Sequence, residues 1–164
     1  MHDYWLDADC LIQSKNGAYA FETFPVVWKF LEQRIEDGTL AICHEVGKEL
    51  LAGKDALADW AQTQKDKGVF IIPEPAVFRT MNEVSDYVKA HYDPHQAAEF
   101  LDGADPWLIA NAVVHGDRIV THEQRDLHTS IRKREVKIPD VADHFGLTTL
   151  QLRELFPALG ARFD

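Results

Sequence analysis

Tyr4-Trp5-Leu6-Asp7-Ala8-Asp9-Cys10-Leu11-Ile12 runs an apolar strand into two carboxylates and continues directly with helical spacing. Toward the other end of the chain, Arg118-Ile119-Val120-Thr121-His122-Glu123 carries an apolar strand into a threonine and a glutamate. Apolar strands do not deliver acids to their ends by default, so something cationic is expected there. If Glu49 and Asp105 converge on the same spot, two carboxylates about 5 Å apart repel by on the order of 3 kcal/mol at an effective dielectric of about 20. That cost points to Mg²⁺ or Mn²⁺.

Outward from these two segments, Leu40–Cys43 and Val69–Ile72 also read as short buried strands. Helical stripes lie between the strands. Val26, Val27, Phe30, Leu31 and Ile35 form one that ends at Asp37-Gly38, and Val46, Leu50 and Leu51 one that ends at Gly53. Leu108, Ile109, Ala112 and Val113 form a third, which ends at His115-Gly116. Leu57–Lys67, Val77–His91 and Gln96–Leu101 read as helices too. Val136-Lys137-Ile138 reads as an edge strand before Pro139, and Thr148–Leu155 as a last helix. Strands alternating with helices imply an α/β layer with a parallel sheet, because parallel strands need crossover connections. Ligands of such sheets gather beyond the carboxyl ends of the strands, where Asp7 and Glu123 are expected.

With 164 residues, 46% of them hydrophobic, the chain is expected to form one domain over residues 1–164, with no apolar run long enough to cross a bilayer. No basic stretch leads into an apolar one at Met1-His2-Asp3-Tyr4, so a cytoplasmic location without a secretory signal is expected. Cys10 and Cys43 lie in apolar segments without CxxC spacing, which predicts buried free thiols rather than a disulfide or a zinc site. A net charge of −10 argues against holding nucleic acid by broad electrostatic attraction. Between Arg118 and Lys137, however, six basic residues face three acids, a local balance that suits a phosphate-bearing ligand or a solvated surface equally well.

Each acid has a structural account beside the functional one. Asp7 or Asp9 is able to cap the helix that follows, but one cap does not require two aspartates. Glu45 and Glu49 share a helix face; a first-turn carboxylate at Glu45 complements the helix dipole, and Glu49 lacks that explanation. The stretch His44-Glu45-Val46-Gly47-Lys48 is not a zinc HExxH helix, because position 48 is lysine. Asp105-Pro106 has the form of an N-cap followed by a first helical proline. Asp102 and Asp126 are neighbouring alternatives to Asp105 and Glu123. Thr121 is placed to orient a phosphate or water through its hydroxyl, and a neutral His122 beside acids suits a general base.

Asp7 at a strand end, Glu49-Leu50-Leu51, Gly103-Ala104-Asp105-Pro106-Trp107-Leu108-Ile109-Ala110-Asn111-Ala112 and Ile119-Val120-Thr121-His122-Glu123 together resemble the PIN-domain ribonucleases, the fold of VapC-type toxins. The likeness spans nearly the whole chain and is nearest a bacterial branch with the words Ala-Asp-Pro-Trp-Leu-Ile-Ala and Lys137-Ile138-Pro139-Asp140-Val141. It implies a three-layer α/β/α sandwich with a mainly parallel central sheet. Asp7, Glu49, Asp105 and Glu123, with Thr121 ahead of the fourth acid, match the family's site, which holds one or two Mg²⁺ or Mn²⁺ ions. The implied activity is hydrolysis of single-stranded RNA by metal-activated water, leaving a 3′-hydroxyl and a 5′-phosphate. Implied partners are an antitoxin protein and a second copy in a homodimer, with no membrane. Ala8 and Asp9 replace the family's usual small polar residues. Arg125, Arg132 and Lys133 are the first candidates for RNA contacts.

Two other classes compete. Asp7-Ala8-Asp9 with Val120-Thr121 also resembles haloacid-dehalogenase-like phosphatases, with Asp140 and Asp143 as the downstream acid pair; Glu49 and Asp105 then go unused. A nuclease-shaped scaffold acting through a protein partner is the other, with Phe21, Phe24, Trp28 and Phe30 as candidates for an apolar groove.

Overall fold

Three consecutive buried residues, Tyr4–Leu6, form strand β1, and the four buried residues Leu40–Cys43 form β2 beside it. Successive strand residues point to opposite faces, so strands buried at every position must be covered on both sides. This computed structural model describes residues 2–163. After β1 come α1 (Ala8–Asn16) and α2 (Pro25–Glu36). After β2 come α3 (His44–Leu51), α4 (Ala56–Asp66) and the short strand β3 (Phe70–Ile71). Helices α5 (Pro75–His91), α6 (Pro94–Asp102) and α7 (Asp105–His115) then lead to β4 (Arg118–Val120). A 3₁₀ turn at Ile131–Lys133, α8 (Ile138–His144), β5 (Thr149–Leu150) and α9 (Leu152–Ala158) complete the described elements.

All neighbouring strands run parallel, in the order β3-β2-β1-β4-β5. The chain builds outward on one side of β1 and then returns to its other side at β4. That reversal opens a crevice between the carboxyl ends of β1 and β4, the place where open parallel sheets bind ligands. Register fixes what stands there: Leu6 pairs with Val120, so Asp7 and Thr121 leave the sheet side by side, and the Asp7 amide donates to the Val120 carbonyl at 3.0 Å.

Helix α7 packs on β1, β2 and β4, and α2 packs on β2. The α/β/α sandwich with a parallel sheet expected from the sequence is the architecture found. Gly47 lets α3 close onto β3, since a Cβ at that position would stand 2.5 Å from the Phe70 ring. Gly116 ends α7 in the left-handed conformation, φ 69°, as the spacing predicts. Cys10 and Cys43 are buried and unbridged. No helix among the described residues is long and apolar enough to cross a membrane.

Two expectations fail near the C-terminus. Val136 and Lys137 are not a strand; they lead into α8, whose first turn holds Ile138 and Pro139. Proline is favoured in a first helical turn because its missing N–H has no partner to lose there. Thr148–Leu155 is not one helix: Thr149-Leu150 forms the sheet edge, and α9 begins at Leu152 behind a Gln151/Glu154 capping box. Strand β3 is also shorter than the expected Val69–Ile72.

Candidate active site

Asp7 closes β1 and is 2% exposed. Its Oδ2 accepts from the Thr121 hydroxyl at 2.9 Å, and its Oδ1 accepts from the Asp9 amide at 3.3 Å as the N-cap of α1. Capping and site geometry therefore coexist in one side chain. Thr121, 1% exposed at the end of β4, accepts from the Glu123 amide at 3.1 Å while it donates to Asp7. Its hydroxyl thus ties the Asp7 carboxylate to the Glu123 backbone, and one lone pair remains beyond those two bonds.

Glu49, exposed on α3, reaches across to the start of α7, where its Oε1 accepts from the Ala104 amide at 3.0 Å. That contact pins the first turn of the helix that carries Asp105. Asp105 is the first residue of α7 rather than its N-cap: Ala104 takes the cap position, and no side-chain cap bond forms. The capping account expected from Asp105-Pro106 does not hold. Glu123 lies beyond β4, and its Oε2 accepts from the Ile138 amide at 2.7 Å, at the amino end of α8.

Electrostatics couple these groups. Burial pushes the Asp105 carboxyl up to about 8, with the charges of Asp7, Glu123, Glu49 and Asp9 adding to it. Burial likewise raises Asp7 to about 7; the Thr121 hydrogen bond opposes the rise and the Glu123 charge adds to it. Glu123 is raised by burial against the Ile138 amide and the Lys137 charge. None of Asp7, Glu49, Asp105 or Glu123 enters an ion pair among the described residues. Burial lowers His122, which keeps its ring neutral near neutral pH.

The four acids suit Mg²⁺ or Mn²⁺ in donor chemistry, being all oxygen, and in charge. Placement is looser. Among the described residues no three His, Cys, Asp or Glu side chains are gathered closely enough to hold an ion as they stand. Asp7, Glu49 and Glu123 are each drawn toward a hydrogen-bond partner of their own, so ligation requires the carboxylates to move inward.

The other candidates separate. Asp9 sits in the first turn of α1 and accepts from Gln13 at 2.6 Å. Asp102 is exposed at the end of α6. Asp126 is spent within its own loop, accepting from the His128 and Thr129 amides. Arg125 lines a cleft with Thr121 and Glu123, yet its guanidinium grips Asp143 through two bonds of 2.6 Å. Arg132 and Lys133 are exposed on the 3₁₀ turn, and Arg132 lies against the end of α5 through the Ala90 carbonyl. Asp143 and Asp140 both sit on α8 and pair with arginines, Asp140 with Arg134 at 3.7 Å, which leaves the phosphatase reading without its acid pair. Trp28 is buried, its indole N–H donating to the Tyr19 carbonyl, and Phe21 stacks on it, so these two aromatics pack inward and do not line a groove. The sequence did not single out Gln96, Glu99 and Glu135, which line a cleft with Asp105 and Glu123. They reach it from α6 and from the segment before α8, which no local pattern announces.

The fold compares with a chain of the crystal structure of VapBC2 from Rickettsia felis bound to a DNA fragment from their promoter. The match has a TM-score of 0.51 at 14% identity and covers 92% of this chain and 98% of that one. Likeness at that identity speaks for the fold alone. No curated protein matches the chain. Residues 4–163 match the family described as "Domain of unknown function (DUF4411)", and the chain belongs to that family.

Proposed function

We propose that the protein is a metal-dependent endoribonuclease that hydrolyses single-stranded RNA. Asp105 carries this reading: among the described residues its carboxyl has no hydrogen-bond partner, and burial beside four other acids pushes it up to about 8. A divalent cation relieves that energy in a way no side chain of the site does. Asp7, Glu49, Asp105 and Glu123 would hold one or two Mg²⁺ or Mn²⁺ ions. Bound there, the metal supplies Lewis acidity at phosphorus and lowers the pKa of water, so that no side-chain nucleophile is required. Thr121 keeps Asp7 and the Glu123 backbone in fixed relation, and Glu49 fixes the turn that presents Asp105. The products would carry a 3′-hydroxyl and a 5′-phosphate.

The VapBC2 likeness and the PIN-type motifs support a toxin whose protein partner is an antitoxin; that it works as a single domain, in the cytoplasm and as a homodimer, is part of the same proposal. Arg125, released from Asp143, and the exposed Arg132 and Lys133 are the proposed RNA contacts. The test is Mg²⁺- or Mn²⁺-dependent cleavage of a single-stranded RNA by the native chain, Asp7→Asn and Asp105→Asn. Loss in both variants supports the site; equal cleavage by all three points to a contaminant and overturns it.

A further inference from the structure

Beside the acids, a cleft of about 200 Å³ lies between α3 and the start of α7 and is lined by Glu45, Lys48, Glu49, Asp102 and Trp107. That is smaller than a usual cofactor site and suits one planar ring system. Trp107 is the exception among the four tryptophans: Trp5, Trp28 and Trp60 are buried, whereas Trp107 is partly exposed. Phe78 of α5, itself 52% exposed, braces it edge-to-face at 5.3 Å. Glu45 has an oxygen shut off from solvent with no hydrogen-bond partner, and neither Glu45 nor Lys48 joins an ion pair among the described residues. Buried acceptors without a donor are uncommon, so no hydrogen bond holds that oxygen back from turning to a donor that enters the cleft. The cleft is continuous with the catalytic candidates, because Glu49 lines it and holds the Ala104 amide just ahead of Asp105.

Three acids to one lysine would repel a phosphate here, so what enters is a base. We infer that this cleft is a nucleobase subsite, stacking an unpaired guanine of the RNA strand on Trp107 with Glu45 and Lys48 reading its edge. The inference rests on the nuclease reading above. Guanine places two adjacent N–H donors beside the O6 acceptor, which matches a carboxylate next to an ammonium. Adenine and cytosine present one amino donor, and uracil an imide between two acceptors. Aromatic stacking supplies the affinity and the charged pair the choice.

The experiment titrates the full chain, kept in EDTA so that nothing is cut, with short oligouridylates carrying one central guanine, adenine or cytosine. Tryptophan quenching, which reports on Trp107 because the other three are buried out of reach of a stacking base, is followed beside the fluorescence anisotropy of end-labelled oligomers, which gives the affinity of every variant. The guanine oligomer is expected to quench it and to bind roughly tenfold more tightly than the others. Trp107→Leu is expected to lose the quench and roughly tenfold in affinity, and Trp107→Phe to recover most of that affinity. Glu45→Gln and Lys48→Met are expected to retain the quench while the bases become equivalent. Equal binding of all bases by the native chain, or unchanged affinity in Trp107→Leu, overturns the subsite. A parallel Mn²⁺ cleavage assay separates the two readings. Guanine-selective binding without cleavage supports the subsite and overturns the nuclease; cleavage without base preference does the reverse.

Discussion

The two ends of one sheet treat their acids differently. At the amino end, Asp37 accepts from the Thr39 amide at 2.9 Å and pairs with Arg34 at 2.7 Å, and these partners hold its carboxyl below the usual range. Asp117, buried just before β4, accepts from the Trp5 indole at 2.9 Å. At the carboxyl end, Asp7 and Asp105 are pushed to about 7 and about 8, with other acids as neighbours and no cationic side chain paired to them among the described residues. At the amino end the chain supplies each acid with a partner, a counter-charge for Asp37 and a buried indole donor for Asp117. Asp105 has neither among the described residues, and that site is electrostatically incomplete without something from outside.

The largest break in that contrast is expected in activity. Asp7→Asn and Asp105→Asn keep shape and remove charge, and each should lower Mn²⁺-dependent cleavage by roughly 10²-fold or more. Asp37→Asn, at the opposite end, should leave the rate unchanged. Comparable losses at both ends would mean that the mutations act through folding.

The next break is in stability against pH. In chelator, Asp7 and Asp105 hold protons that the unfolded chain releases near their ordinary value of 3.8. Their contribution is whole below that value and is lost as pH rises through about 7 and about 8. Urea unfolding followed from about pH 6 to about pH 9 should therefore show a loss on the order of 3 kcal/mol, which Mn²⁺ restores and Asp105→Asn reduces. Asp37 has the opposite sign, its contribution going only as pH falls below the ordinary carboxylate range. A profile flat above neutrality, with no response to Mn²⁺, would erase the difference between the two ends.

Much of this was legible where periodicity was long. The stripe from Val26 to Ile35 predicted α2, and the fully apolar Leu40–Cys43 predicted β2. Two-residue strands carry no period: Thr149-Leu150 vanished into the apparent helical spacing of Leu150, Leu152 and Leu155, and β-branched Val136 and Ile138 imitated a strand. At the site, the identities of the four acids could be read, but not their hydrogen bonds. The Thr121–Asp7 bond depends on the pairing of β1 with β4 across more than a hundred residues, and the Glu49–Ala104 bond on how α3 meets α7. Asp105 shows the limit most plainly, since a shift of one position turns an expected cap into a carboxyl with no partner among the described residues.

A smaller effect is expected at Thr121. Thr121→Val keeps the volume but strips Asp7, buried at the end of β1, of its hydroxyl donor and the part-buried Glu123 amide of its acceptor. Leaving such groups unpaired costs about 1–3 kcal/mol, so unfolding should shift by that amount and cleavage should fall roughly tenfold as Asp7 loosens. Thr121→Ser restores the hydroxyl and should recover most of both. If Val and Ser behaved alike, the hydroxyl would not be what positions Asp7.

The smallest effect tests the amino end by itself. Arg34 and Asp37 are exposed, three residues apart at the end of α2, and a pair of that kind contributes less than about 1 kcal/mol. Arg34→Met should therefore shift unfolding only slightly, and less at high salt, because water already screens the charge that remains on Asp37. Asp105 is screened far less, and burial is what turns an unpaired carboxylate from a minor cost into a demand for a cation. Should Arg34→Met prove as costly as adding a chelator to the carboxyl end, the distinction between the two ends would lie in packing rather than in charge.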